Sequence, residues 1–242
     1  ADLQAASLEP RIPLQRQDAF WESICAASGD PLLGLRLGSA LQVGHLDMVG
    51  ALLMSCDHYG EALDALLEYY PIIAEGSEFQ REQDDSQVRL VYRPSYAVRR
   101  EERVEAALAS LVHLTRWITG DRVKPRQAAL SHAARGEPAR YRELLGCPVI
   151  FESDGNALTF AVADLDVPLI QANAVMREHL RALADAQLER LGAQSLAARV
   201  QQLLRQNPRW GKEKVAEQLE LSGRHLNRKL ADEGSSFKLL RE

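Results

Sequence analysis

Cysteine is scarce in this chain. Only Cys25, Cys56 and Cys147 occur among its 242 residues, at wide spacings and in odd number. This pattern excludes a disulfide framework, and it also excludes a zinc site, which needs closely spaced Cys or His pairs. The sequence therefore predicts buried free thiols in a reducing compartment, and it predicts neither a metal ion nor another cofactor.

Long apolar runs are absent as well. No stretch of about 18 consecutive apolar residues occurs, so we expect no transmembrane helix and no membrane partner. The opening segment, ADLQAASLEPRIPLQRQDAF, lacks the charged start and apolar core of a secretory signal. These absences indicate a cytoplasmic protein. The length allows one large domain or two ordinary ones.

Catalytic motifs are also missing. The sequence contains no nucleophile elbow, no phosphate-binding glycine loop and no metal-ligand set. Ser131 and His132 are a possible nucleophile and a possible general base next to each other in the sequence. Neighbouring residues on a strand point to opposite faces, so these two side chains cannot act together. Cys56-Asp57-His58 is the other adjacent set. We therefore predict that the protein is not an enzyme and has no catalytic residues.

Lysine is nearly confined to one end of the chain. Four of the five lysines lie in 193–242. That segment contains ten Lys and Arg and six Asp and Glu, so its net charge is +4. The remaining 19 basic and 28 acidic residues leave −9 on 1–192. A basic segment on an acidic protein is typical of chains in which one part meets phosphate. We predict two domains, 1–192 and 193–242, with a linker over 191–195.

The first domain changes its hydrophobic period several times. Helical spacing covers much of 17–70 and then 101–118, 139–144 and 173–191. Strand alternation covers 77–94, with a turn at Asp84–Asp85–Ser86, and 123–132. PVIFESDGNALTFAVA (148–163) predicts a hairpin that turns at Asp154–Gly155–Asn156. The predicted fold of 1–192 is therefore α+β, an antiparallel sheet with helices packed on it. The apolar stripe of 173–191 fits either packing within this domain or a dimer helix.

The second domain contains the segment KEKVAEQLELSGRHLNRKLADEG. Its apolar positions have the spacing of two short crossing helices: Ala216, Leu219, Leu221, Leu226 and Leu230. Ser222 stands where the second helix needs an N-cap. Arg224, Asn227 and Arg228 fall on the face opposite the leucines. This arrangement predicts an all-α helix-turn-helix domain whose second helix reads a DNA major groove, since Arg suits guanine edges and Asn suits adenine edges.

The same segment resembles the first half of the DNA-binding domain of AraC/XylS-type transcription regulators. The pattern LS-x-R-x-L-x-R-x-L-x-x-x-G-x-SF-x-x-L is matched by Leu221, Ser222, Arg224, Leu226, Arg228, Leu230, Gly234, Ser236, Phe237 and Leu240. PLLGLRLGSAL, HYGEALDALLEYYP and LSHAARGEPARYRELLGCPVIFESDGNALTF are similar to the branch of that family labelled arabinose-binding. The members of that branch respond to varied small molecules, so the resemblance does not imply a sugar.

The resemblance implies a sequence-specific DNA-binding transcription regulator controlled by a small-molecule effector. Residues 1–192 would bind the effector and dimerise, and 193–242 would bind double-stranded DNA at the nucleoid. Activation of transcription is one expected mode, with RNA polymerase as a candidate partner. Family members carry a second helix-turn-helix after a long helix, and the sequence stops at Arg241–Glu242, where that helix would begin. The alternative is a ligand-sensing or protein-interaction module with an incomplete DNA-binding domain.

Two sets of candidate site residues follow. The resemblance implies base contacts for Arg224, Asn227 and Arg228 and phosphate contacts for Ser222, His225, Lys212 and Lys214. The candidate effector-binding residues are polar or aromatic side chains of the first domain: His45, Tyr92, His113, Trp117 and His132. For each of these five side chains, plain core packing is the alternative.

Overall fold

The structure, a computed structural model, describes residues 14–232 and 235–241, apart from the side chains at 193, 194, 198, 206 and 232. The opening segment as far as residue 13, and Gly234 of the quoted pattern, lie outside the described residues. Two compact units are present, an N-terminal unit Ala1–Arg181 and a C-terminal unit Ala182–Glu242. The boundary predicted from sequence, between 192 and 193, falls in the same helix as this division.

Helices make up most of the N-terminal unit. They are α1 (Leu14–Ser28), α2 (Leu33–Ser39), α3 (Asp47–Ser55), α4 (Tyr59–Ile73), α5 (Arg100–Thr119), α6 (Pro138–Leu145) and α7 (Ala174–Gln194), the last of which continues into the C-terminal unit. The helices predicted at 101–118 and 139–144 are confirmed as α5 and α6. Gly120 ends α5 in the left-handed conformation, with φ of 63°, and its N–H bonds back to Arg116 and Trp117.

A five-stranded sheet completes the unit, with strand order β1-β2-β5-β3-β4. Its strands are β1 (Ser77–Gln83), β2 (Gln87–Pro94), β3 (Gln127–Ala129), β4 (Val149–Ile150) and β5 (Asn156–Ala161). The β1–β2 hairpin and its turn are as predicted. The Asp84 carboxylate accepts hydrogen bonds from the backbone N–H of Ser86 at 2.7 Å and of Gln87 at 2.8 Å, which fixes the turn.

The predicted hairpin over 148–163 is wrong, because β3 lies between β4 and β5. β3 pairs antiparallel with β5 and parallel with β4, so the sheet is mixed rather than purely antiparallel. A parallel pair needs a crossover, and α6 supplies it between β3 and β4. The loop after β4 bonds to the chain beyond β3: Ser153 N–H donates to Leu130 O at 3.0 Å and Glu152 N–H to His132 O at 3.1 Å. The strand predicted at 123–132 shortens to β3.

The sheet packs against α4 and α5. Phe160 on β5 meets the Tyr59 ring edge-on, with 5.7 Å between ring centroids. The Tyr59 hydroxyl lies 3.0 Å from Thr115 Oγ1 on α5, so the polar end of this buried ring is also satisfied. Tyr59 and Thr115 are both fully buried. The three elements thus form one core, and α5 lies at its centre.

Helix α2 lies against α5 with unusually little space between the backbones. A Cβ added at Gly34 would overlap the carbonyl oxygen of Glu102, and one at Gly38 would overlap that of Ala106. Glycines one helical turn apart therefore let the two backbones meet. In the described part of the chain, no single helix is long and apolar enough to cross a membrane. Only α2 with 43–55, a pair bent by 94°, reaches that length and composition.

All three cysteines are free thiols, as predicted. Cys56 and Cys147 are buried, and burial raises the pKa of the Cys56 thiol to about 12 and that of Cys147 to about 11. Cys25 is only half-buried, which differs from the prediction. Burial raises its pKa as well. None of the three thiols is therefore activated as a nucleophile.

The C-terminal unit is helical in its described residues. After α7 it contains α8 (Leu196–Gln206), α9 (Lys212–Gln218), α10 (Gly223–Asp232) and α11 (Phe237–Arg241). Where the sequence predicted a linker over 191–195, α7 runs to Gln194 and only Ser195 separates it from α8. Helices α8, α9, α10 and α11 share a small apolar core. Its buried residues are Val200, Leu204, Val215, Ala216, Leu226, Leu230 and Phe237.

Candidate functional site

The turn between α9 and α10 is tight and well bonded. Leu221 N–H donates to the Ala216 carbonyl at 2.9 Å, and Glu220 adopts the left-handed conformation with φ of 56°. Ser222 Oγ then accepts a hydrogen bond from His225 N–H at 3.2 Å, which confirms the predicted N-cap. Leu226 is fully buried on the next turn. These contacts fix the rotation of α10, and therefore which of its residues face outward.

The outward face of α10 is basic and polar. Arg224, Asn227 and Arg228 are all exposed, while Leu226 and Leu230 on the opposite face are fully buried. No residue that the structure describes lies within hydrogen-bond or ion-pair distance of those three exposed side chains. They are held in position by the backbone of a packed helix, yet their polar groups remain available for a partner.

An open groove of about 590 Å³ runs beside this face. It brings Lys212 and Asn227, both predicted from sequence, together with Ala231 of α10 and with residues of the chain after α10: Ser235, Ser236, Phe237, Lys238 and Arg241. The sequence reading missed Lys238 and Arg241. The excess of Lys and Arg in 193–242 was the signal that could have located them. Arg224, His225 and Arg228 do not line this groove.

The other predicted phosphate contacts differ in availability. Lys214 Nζ is bonded to Glu217 Oε2 at 2.7 Å on the same helix, and this contact holds the pKa of Glu217 below its ordinary value. Lys212 Nζ lies 3.5 Å from Glu213. His225 is half-buried. A phosphate would therefore compete with a neighbouring carboxylate for each lysine, most strongly at Lys214.

The structure brings two of the five effector candidates together. His113 and Trp117 stand one turn apart on α5 and line a cleft of about 380 Å³ between α5 and the connection from α2 to α3. The other lining residues come from that connection and from α3: Leu41, Gln42, Val43, Gly44 and Met54. His45 follows Gly44 in the chain but does not line the cleft. Its Nδ1 accepts a hydrogen bond from Gln42 N–H at 3.1 Å.

The remaining two candidates are part of buried clusters elsewhere. The Tyr92 ring is 4.7 Å from that of Phe79, and its hydroxyl is 2.8 Å from the Tyr96 hydroxyl. The His132 side chain is 8% exposed, and its Nδ1 lies 2.8 Å from the Ala133 carbonyl. The structure therefore places neither side chain in the cleft with His113 and Trp117.

Glu105 on α5 is a buried carboxyl that the sequence reading missed. It is fully buried and accepts a hydrogen bond from the Tyr141 hydroxyl at 2.7 Å. His132 Nε2 lies 3.7 Å from its Oε1, and Arg135 Nη1 lies 3.9 Å from its Oε2. Burial raises the pKa of Glu105 to about 7, although Tyr141 and Arg135 act in the opposite direction. The cluster joins α5 to α6 and to the loop between β3 and α6.

This raised pKa predicts a stability that declines with pH. As pH rises above the ordinary pKa of 4.5, the unfolded chain loses this proton while folded Glu105 keeps it until about pH 7. The free energy of unfolding should fall by about 2 kcal/mol between pH 5 and pH 7 through this group. Urea unfolding at both pH values should show that decline in the wild type and a flatter one in Glu105→Gln. Glu143→Gln, which removes an exposed carboxylate of α6 that lies outside this cluster, should keep the wild-type decline.

Comparison with known proteins places the chain in a family. Residues 1–169 match the family described as the arabinose-binding domain of AraC transcription regulators, at the N-terminus of those proteins. The chain belongs to the AraC family of transcription regulators. Its N-terminal unit is therefore the AraC-type domain that the sequence pattern predicted, in the same branch of the family.

Two relatives extend the comparison of this AraC-family chain. The ornithine utilization regulator of Pseudomonas aeruginosa is 26% identical over 219 residues, which are 88% of this chain and 64% of that regulator's length. The crystal structure of the transcriptional regulator CdpR from Pseudomonas aeruginosa matches with a TM-score of 0.63 and 22% identity, over 96% of this chain and 76% of that one. At 22% identity, the similarity to CdpR shows a shared fold and nothing further. These comparisons are all with regulators, and none indicates an enzymatic family.

Proposed function

We propose that this chain is a sequence-specific DNA-binding transcription regulator. In this proposal α9, the turn at 219–222 and α10 form a helix-turn-helix, and α10 enters a major groove. The observation that carries it is the exposed face of Arg224, Asn227 and Arg228 on a helix whose other face is fixed in a core. Guanidinium and amide groups at these positions suit guanine and adenine edges.

The groove beside α10 supplies the phosphate contacts of this proposal. Lys212, Lys238 and Arg241 gather positive charge next to Asn227. Contacts to phosphate position a recognition helix but carry no sequence information themselves. Ser222 and His225, at the start of α10, would hold the adjoining backbone phosphate, and Lys214 would contribute once it leaves Glu217. Because these contacts displace counterions, binding should weaken steeply as salt rises.

The N-terminal part supplies control in the same proposal. Residues 1–192 bind a small-molecule effector and a second copy of the chain, and 193–242 bind one half-site each. Two half-sites bound by a dimer raise the affinity above that of a single unit, which alone would bind with a Kd of about 10⁻⁴ to 10⁻⁶ M. RNA polymerase is the partner expected if the regulator activates transcription.

Arg228→Ala tests the recognition helix. On DNA selected from a random library by the wild-type protein, fluorescence anisotropy should show binding weaker by about 1–3 kcal/mol. Lys229→Ala is the matched control, because it removes the same charge from the next position, about 100° around the helix. It should affect selected and random DNA alike and only slightly. Unchanged affinity of Arg228→Ala would reject the base contact assigned to that residue. Absence of DNA binding by the wild-type protein would favour an interaction module with an incomplete DNA-binding domain.

A further inference from the structure

We infer that the cleft between α5 and the α2–α3 connection is the effector site, and that its ligand is a small neutral molecule with a flat, apolar body. This inference rests on the proposed effector control and adds a place and a ligand chemistry to it. The volume of about 380 Å³ lies within the range of roughly 300–1,000 Å³ that is usual for small-molecule sites.

The walls of the cleft favour an aromatic or otherwise planar ligand. Leu41, Val43 and Met54 supply aliphatic and thioether surface, and Trp117 supplies the face or edge of an indole. Trp117 is 46% exposed, so much of this large apolar surface is not covered by other side chains. An aromatic ring placed there would stack on the indole and contact the Met54 sulfur, and both interactions favour a flat, apolar ligand.

The polar groups of the cleft restrict the ligand further. None of the lining residues is Asp, Glu, Lys or Arg, so a charged ligand would find no carboxylate, ammonium or guanidinium partner in the cleft. Besides the indole N–H of Trp117, only Gln42 and His113 contribute polar side-chain groups, too few for the many hydroxyls of a sugar. No described residue lies within hydrogen-bond distance of the half-buried His113 ring. That imidazole is therefore free to bond a single polar group on the ligand.

The cleft also adjoins the segment that leads into α7. Met54 and Trp117 line a second, smaller depression with Ile118, Ile170 and Gln171 on their other side. Ile170 N–H donates to the Ile118 carbonyl at 3.2 Å, next to Trp117 in the chain. Asn173 N–H donates to the Ser55 carbonyl at 2.9 Å, next to Met54. A ligand that displaces either wall therefore acts directly on the residues that anchor the start of α7.

The test uses N-phenyl-1-naphthylamine, a neutral aromatic probe whose fluorescence rises in apolar surroundings. The full chain should bind it saturably, with one site per chain. Gly44→Leu should weaken that binding about tenfold or more, because a side chain at Gly44 meets nothing within 4 Å and projects from the cleft wall into open space. Gly155→Leu is the matched control: its Cβ also meets nothing within 4 Å, and it lies in the loop before β5. It should bind the probe like the wild type, and both variants should keep the wild-type melting temperature.

Several outcomes would overturn the inference. Equal probe binding by Gly44→Leu and Gly155→Leu would show that the probe binds elsewhere, and no saturable binding by the wild type would remove the site. Displacement of the probe by L-arabinose or L-ornithine would contradict the neutral, apolar ligand class. DNA binding without any probe separates this inference from the proposed function. If DNA binds but Gly44→Leu has no effect on the probe, only the effector site fails. If DNA does not bind but the probe result holds, only the DNA-binding function fails.

Discussion

Gly34→Val is expected to destabilise the N-terminal unit by about 3 kcal/mol or more, a large share of the stability of an ordinary domain. A Cβ at this position overlaps the backbone carbonyl of Glu102 on α5, and backbone atoms inside a helix cannot move aside as a flexible side chain can. The valine would therefore push α2 away from α5. Because α5 also packs against α4 and the sheet, the strain would reach the centre of the core.

Urea unfolding followed by tryptophan fluorescence measures this effect. The chain has Trp21, Trp117 and Trp210, so a Trp210→Phe background leaves only reporters in the N-terminal unit. Gly44→Val in the same background is the control, since a Cβ there meets nothing within 4 Å, and its change should stay within about 0.5 kcal/mol. Equal stability of the two variants would mean that α2 and α5 do not approach closely at Gly34.

Leu230→Ala should unfold the C-terminal unit while the N-terminal unit stays folded. Removing a fully buried leucine costs about 2–5 kcal/mol, from lost burial and from the cavity that remains. A core as small as that of α8 to α11 has only about 3–5 kcal/mol to lose. Packing of Leu226 and Leu230 fixes which residues of α10 point outward. Because Leu230→Ala removes that packing, DNA binding should be lost as well.

Hydrogen exchange read by mass spectrometry separates the two units in one experiment. Peptides within 196–232 should exchange rapidly in Leu230→Ala, while peptides of α4 and α5 keep the wild-type protection. Leu239→Ala is the control, because it makes the same substitution at a leucine that is 64% exposed on α11. Slow exchange over 196–232 in Leu230→Ala would show that this core does not hold the unit together.

The sequence by itself determined the features that depend on neighbours along the chain. The period of 101–118 was enough to place α5, because one face of a helix recurs every three or four residues. Ser222 could be recognised as an N-cap, and Asp84 to Ser86 as a turn, since both act on backbone groups within a few residues. The outward face of α10 followed from the same periodicity. The AraC-type pattern then placed this local information in a family.

Only the tertiary structure decided which distant segments meet. Asp154 and Gly155 marked a turn, but the turn could not reveal that β3 would lie between the two strands, because backbone hydrogen bonds do not depend on side-chain identity. Burial likewise separated His113 and Trp117, at the cleft, from Tyr92 and His132, in packed clusters. All four look alike in sequence, since a polar aromatic residue suits both a binding site and a satisfied core. Their roles are fixed by the surrounding elements, and those are brought together by contacts far apart in the chain.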